Sequence, residues 1–174
     1  MDKALIPEGV KRCIRGALSD AAVEPEEVDA INGHLTATYA DPVEIKNWQE
    51  ALGRGPGDFP WINSTKSLIG HCLGAAGAIE CVAAVLQLTG GFIHPSINCE
   101  DLHPEIEPFA AQIPHATVDC PGLKTIAKAG FGFGDVKLCA AIGLVLGING
   151  TVASVAAAVM ISGFAAAAGL ATGK

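Results

Sequence analysis

At 174 residues, half of them apolar, the chain is long enough for one domain with its own hydrophobic core. A net charge of -7 and a pI near 5.1, with no basic face in view, argue against a nucleic-acid partner. Six cysteines without a CxxC pair, and no His/Cys cluster at ligand spacing, argue against a metal centre. No secretory signal precedes the charged opening MDKALIPEGVKR, so a cytoplasmic location with reduced thiols is expected.

The first element is an amphipathic helix over Pro7 to Ala22, where Val10, Cys13, Ile14, Ala17, Leu18 and Ala21 recur at helical spacing. Pro25 ends that period, and Val28, Ala30 and Ile31 lead into a short strand ending at His34. A strong helix start follows: Asp41 as cap, Pro42 at the first helical position and Glu44 reaching back to the cap amide, with Ile45, Trp48 and Leu52 as the buried stripe. GRGPGDFP closes this helix, and Trp61 to Ile69 reads as a second strand delivering a second histidine, His71. GAAGAIECVAAVLQL, from Gly74, reads as a compact buried helix. Residues 90–122 read as an irregular surface excursion in which His94, His103 and His115 hold surface roles, before the strand-like TIAKAG and the glycine-spaced GFGFG. Strand-helix units in this order predict an α/β layered fold.

GHLTAT at 33–38, NSTKSLIGHCLGAAGAIE at 63–80 and AGFGFGD at 129–135 carry the chemistry. Together and in this order they resemble the signature of the condensing enzymes. The middle segment is the specific one. The chain is therefore similar to the C-terminal half of a β-ketoacyl-acyl-carrier-protein synthase, and the resemblance implies the C-terminal lobe of a layered thiolase-like α/β fold over 1–137. It implies decarboxylative condensation of malonyl-acyl-carrier protein with an acyl thioester in fatty-acid or polyketide synthesis, without a cofactor or metal. In that reaction His34 and His71 stabilise the enolate oxygen as neutral hydrogen-bond donors. Lys66 orients the histidines, Glu80 belongs to the same buried polar network, and Phe133 gates the acyl tunnel and offers an oxyanion amide. The partner implied is acyl carrier protein carrying an acyl or malonyl thioester. The imidazoles should approach within about 8 Å, so that one oxygen bridges them.

The departures are specific. The family's HGTST is here His34-Leu35-Thr36-Ala37-Thr38, Asp41 lies seven rather than eight residues after His34, and GFGGTN becomes GFGDVK. Cys72, beside His71, falls at a variable position and is not read as a nucleophile. The nucleophilic cysteine half is absent, so thiol-dependent condensation needs a missing N-terminal lobe, and self-association through uncovered surfaces, as in a homo-oligomer, is expected. Alternatives are a noncatalytic remnant or partner subunit and a small membrane-associated protein. Residues 138–174 form an apolar Gly/Ala-rich tail with no Asp, Glu, Lys, Arg or His before Lys174. A transmembrane helix, a packed apolar strand pair and an unrelated sequence joined by fusion or frame change compete for it. Membrane contact is expected only through this tail, and Gly143, Gly147, Asn149, Gly150 and Gly163 weaken an autonomous span.

Overall fold

In the computed structural model, residues 5–128 are described; the segment AGFGFGD, with Phe133, and the apolar tail lie outside them. Helix α1 (Leu5–Ala21) leads to β1 (Ala30–Asn32), α2 (Asp41–Leu52), β2 (Trp61–Asn63), the single-turn α3 (Lys66–Ile69) and α4 (Ala76–Gly90). Then come β3 (Phe92–Ile93), β4 (Val118–Asp119) and β5 (Ile126–Lys128). Strands β2, β1 and β5 form a parallel sheet in that order, pairing Ala30 with Trp61 and Ile126, and Asn32 with Asn63 and Lys128. β3 and β4 form an antiparallel pair.

Alternation along the strands divides the core into two layers. Ile31 and Ile62 join Ile14, Leu18, Ile45, Trp48 and Leu52 beneath α1 and α2. Ala30, Trp61 and Ile126 turn the other way, toward Ile93, Leu123 and Leu88 of α4. Helices thus lie on both faces of a parallel sheet, the layered α/β arrangement expected, and every residue of β1 is buried. Cys13, placed on the apolar stripe of α1 by spacing, is exposed.

Local readings differ from the structure at four points. β1 stops at Asn32, before His34, and β2 stops at Asn63, because Ser64 and Thr65 take the chain into a turn. Ser67 donates its amide and its hydroxyl to the Ser64 carbonyl (3.1 and 2.8 Å), so residues 66–69 are helical rather than extended. The helix α4 is not buried all round: its enclosed side carries Ala76, Glu80 and Gln87, whereas Val82 and Leu86 are exposed. The 90–122 excursion is less superficial than its composition suggests, since Ile106, Phe109 and Ile113 enter the main core, with Phe109 edge-on to Phe59 at 4.7 Å.

His94 is the fourth, buried where a surface role was expected. It belongs to a polar spine joining the strand ends to α4. Asn32 donates to Asn63 (3.1 Å) and Thr65 (2.8 Å), and Asn63 donates to Gln87 Oε1 (2.9 Å) and the His94 carbonyl (3.0 Å). The His94 ring lies 2.9 Å from the Pro95 carbonyl at Nδ1 and 3.0 Å from the Thr65 hydroxyl at Nε2. A carbonyl only accepts, so Nδ1 carries the proton and Nε2 accepts from Thr65. Burial pushes the imidazole below its ordinary 6.5. The unfolded chain therefore takes up this proton first, so stability is full above about pH 6.5 and declines as pH falls toward the folded value. Urea unfolding between pH 7.5 and 5 should show this decline, and His94→Asn should lose up to about one proton's worth of its slope.

Candidate active site

Parallel strands carry their C-terminal ends to one edge of the sheet, where α/β folds place their sites. His34 lies two residues beyond β1 and Lys66 three beyond β2, while His71 lies in the turn after α3. The His34 loop is held by two carboxylates at the start of α2. Glu44, buried, accepts from the amides of His34 (2.8 Å) and Leu35 (3.2 Å), one oxygen for each. Asp41 accepts from the amides of Thr36 (3.2 Å) and Ala37 (2.9 Å) and from the Thr38 hydroxyl (3.2 Å). The capping box expected from the DPVE spacing therefore does not form. Asp41 is the first residue of the helix, Ala40 precedes it, and both carboxylates turn outward to organise the loop. Burial pushes the Glu44 carboxyl up from its ordinary range, against the lowering effect of the two amides.

The two histidine rings meet edge to face, centroids 5.3 Å apart and planes at 77°. His71 accepts the Leu73 amide at Nδ1 (3.1 Å), so its neutral form carries the proton on Nε2. Burial lowers the His34 pKa below 6.5, helped by the Lys66 ammonium and by His71 and opposed by Glu80 and Asp41. Lys66 is buried and its ammonium forms an ion pair with Glu80 Oε1. Lys128 approaches the other oxygen of Glu80 at 3.2 Å. The structure thus brings His34, His71, Lys66 and Glu80 into one cluster. Two imidazole donors beside the Lys66–Glu80–Lys128 triad, two cations on one anion, are suited to hold an oxygen that gains negative charge.

Sequence reasoning missed Glu44 and Lys128. Glu44 matches a capping pattern so well that its loop contacts are invisible without the fold, and Lys128 looks like an ordinary strand-end lysine. The departures Leu35 and Ala37 have a structural counterpart: both keep a positive φ, 20° and 56°, in a loop where the family has glycine at the first of these positions. Leu35 packs against the main core, and a Cβ on Gly33 would meet its Cγ at 2.9 Å, which leaves no room for a side chain at Gly33. Leu73, which donates to His71, also has a positive φ of 48°, so strained backbone flanks both histidines.

Comparison with known proteins places the chain among two families. The β-ketoacyl synthase C-terminal domain matches residues 3–100, and the type IV leader peptidase family matches residues 63–168. A chloroplastic 3-oxoacyl-[acyl-carrier-protein] synthase I of Hordeum vulgare is 46% identical over 57% of this chain and 21% of its own length. A 3-oxoacyl-[acyl-carrier-protein] synthase 2 of Coxiella burnetii is 37% identical over 75% of this chain and 31% of its own. The chain thus spans about a fifth to a third of these relatives. Among solved structures, a type II PKS acyl-carrier protein in complex with its ketosynthase, bound to a hexaketide, aligns with TM-score 0.58 and 34% identity. That alignment covers 68% of this chain and 28% of the other.

Ala37 is exposed, so a glycine there sacrifices little packing while removing the cost of a side chain at positive φ. Ala37→Gly should raise stability by about 0.5–1 kcal/mol in denaturant titration, unless the loop relaxes to another conformation. Unchanged amide shifts for His34 and Leu35, which donate to Glu44, would show that the loop is retained.

Proposed function

Because this chain belongs to the β-ketoacyl synthase family through that family's C-terminal domain, we propose that it is the histidine-bearing part of a 3-oxoacyl-acyl-carrier-protein synthase. The observation that carries this reading is the edge-to-face histidine pair, with His71 held by the Leu73 amide so that its Nε2–H is free to donate. In the reaction proposed, the bond between Cα and the carboxylate of malonyl-acyl-carrier protein breaks, carbon dioxide leaves, and the electron pair moves into the enolate. His34 and His71 hold the enolate oxygen with N–H donors. The enolate carbon then attacks an acyl thioester on a cysteine in the rest of the synthase, and that thiolate leaves. Lys66, paired with Glu80, keeps positive charge beside the imidazoles. Glu44 positions the His34 loop through its two amide bonds. Phe133, as gate and oxyanion amide, is carried only by the resemblance of AGFGFGD; it lies beyond the first family match and inside the second.

Acyl carrier protein is the proposed partner, supported by the ketosynthase complex among the structural neighbours, and the cytoplasm is the proposed location. Exposed apolar side chains support a seat for a separate N-terminal lobe. Leu68, Ile69, Leu73, Val82 and Leu86 are exposed around α3 and along α4, an apolar surface of the kind a second lobe covers. Leu73–Gly90 is also long and apolar enough to cross a membrane, yet its enclosed side holds Glu80 and Gln87 in contacts to the strand ends, which supports a docked helix instead.

A second reading concerns the end of the chain. The type IV leader peptidase match, together with the absence of charge between Lys137 and Lys174, supports a composite polypeptide in which the lobe, proposed over 1–137, is joined to a tail of different kinship over 138–174. Membranes from expressing cells, cleared of aggregates and washed with alkaline carbonate, should release the chain under the soluble reading. Retention that disappears when 152–170 is deleted would instead make the tail a membrane anchor.

The catalytic reading is tested in trans. Alone, the purified chain should not condense malonyl- with acyl-acyl-carrier protein. With the cysteine-bearing half of a related synthase added, carbon dioxide release and 3-oxoacyl product should appear by mass spectrometry. His34→Ala and His71→Ala should each reduce that release by about a hundredfold or more. Turnover by the chain alone would mean that the nucleophile lies within it, and a folded, bound but inactive pair would make it a noncatalytic remnant.

A further inference from the structure

Strand β5 runs parallel to β1 and β2, so its last residue, Lys128, emerges at the same sheet edge as His34 and Lys66. Its side chain is 11% exposed, and its ammonium sits 3.2 Å from Glu80 Oε2. The first turn of α4 is open to it: a Cβ on Gly77 would stand 3.7 Å from the Lys128 nitrogen. Glu80, itself 3% exposed, therefore divides its two oxygens between two lysines, Oε1 to Lys66 and Oε2 to Lys128. Among the described residues no other carboxylate pairs with either lysine, so two cations share one anion.

The consequence is electrostatic. A buried Lys–Glu pair is nearly neutral at a distance, and a carboxylate offering both oxygens to Lys66 would quench most of its field. With Lys128 holding one oxygen, a unit of positive charge remains in excess where solvent screens it poorly. Among the groups acting on His34, Lys66 and His71 disfavour its protonation, and Glu80 and Asp41 favour it; the Glu44 carboxylate faces its backbone amide.

We propose that Lys128 is a positioning residue of this site. By taking the second oxygen of Glu80 it leaves the Lys66 charge unbalanced and so keeps His34 in its neutral, hydrogen-donating form. This rests on the reading of His34 and His71 as donors, but it concerns the protonation of His34 and not the reaction.

The test is therefore a titration, independent of turnover. The full chain, labelled with 15N, is titrated by NMR from pH 8 to 4.5, with His34 assigned by loss of its signals in His34→Asn. Lys128→Gln should raise the His34 midpoint by about half a pH unit, more at low ionic strength, and Lys128→Arg should return it to the starting value. A folded Lys128→Gln protein with an unmoved midpoint overturns the proposal. If the glutamine variant loses its dispersed spectrum, Lys128→Met, which keeps the aliphatic stem, is read in the same way. Collapse of both neutral variants would mark Lys128 as a structural strut and also overturn it. Failure of condensation in trans, with this shift present, would remove the catalytic reading and leave the electrostatic one standing.

Discussion

The carboxylate of Glu80 is the tie on which the site edge of the fold depends. It lies on the enclosed side of α4 and takes Lys66 from the start of α3 and Lys128 from the end of β5. A charge so enclosed is costly unless paired and hydrogen-bonded, and removing either partner leaves part of that cost unmet. Helix α4 is consequently docked with polar groups inward: Glu80 meets the lysines, and Gln87 accepts from Asn63 and the His94 amide. Its apolar residues Val82 and Leu86 are left facing out. This is the reverse of a surface helix in a self-sufficient soluble domain, and it explains why a strongly apolar sequence can pack with so little of its apolar area covered.

A second constraint fixes the histidines. The loop after β1 has few apolar contacts of its own, and Asp41 and Glu44 hold its successive amides instead. These charge-assisted bonds offset the unfavourable backbone of Leu35 and Ala37, while the Leu73 amide holds the His71 ring from the other side. Donors fixed in this way need no rearrangement when charge develops on an oxygen between them, which is what the proposed enolate step requires. The polar spine from Asn32 through Thr65, Asn63 and His94 to Gln87 joins the same strand ends to α4.

Residues 3–100 match the β-ketoacyl synthase C-terminal domain, and within the described part parallel strands between helices bring the histidine-bearing turns together. The two family matches overlap over 63–100, and only the second extends past 100. It spans the uncharged stretch after Lys137 and also the segment that carries Lys66, His71 and Glu80.

The sequence alone determined the helices whose apolar spacing was complete, α1 and α2, and the layered α/β class, because strand-helix alternation leaves few alternatives. It also named His71, Lys66 and Glu80, since NSTKSLIGHCLGAAGAIE is dense enough to align residue by residue with the family's block, and His34 through the shorter GHLTAT. Local pattern was ambiguous wherever a polar side chain had two possible partners. Glu44 fits a cap amide or a neighbouring loop, His94 fits solvent or a spine, and Ser64 and Thr65 fit a strand or a turn. Only the tertiary structure decided these, because the choice depends on which buried donors and acceptors arrive from distant segments and must be satisfied. Lys128 is the extreme case: its partner Glu80 is remote in sequence, and nothing in TIAKAG distinguishes it from a solvated lysine until β5 pairs with β1 and delivers it to the site edge.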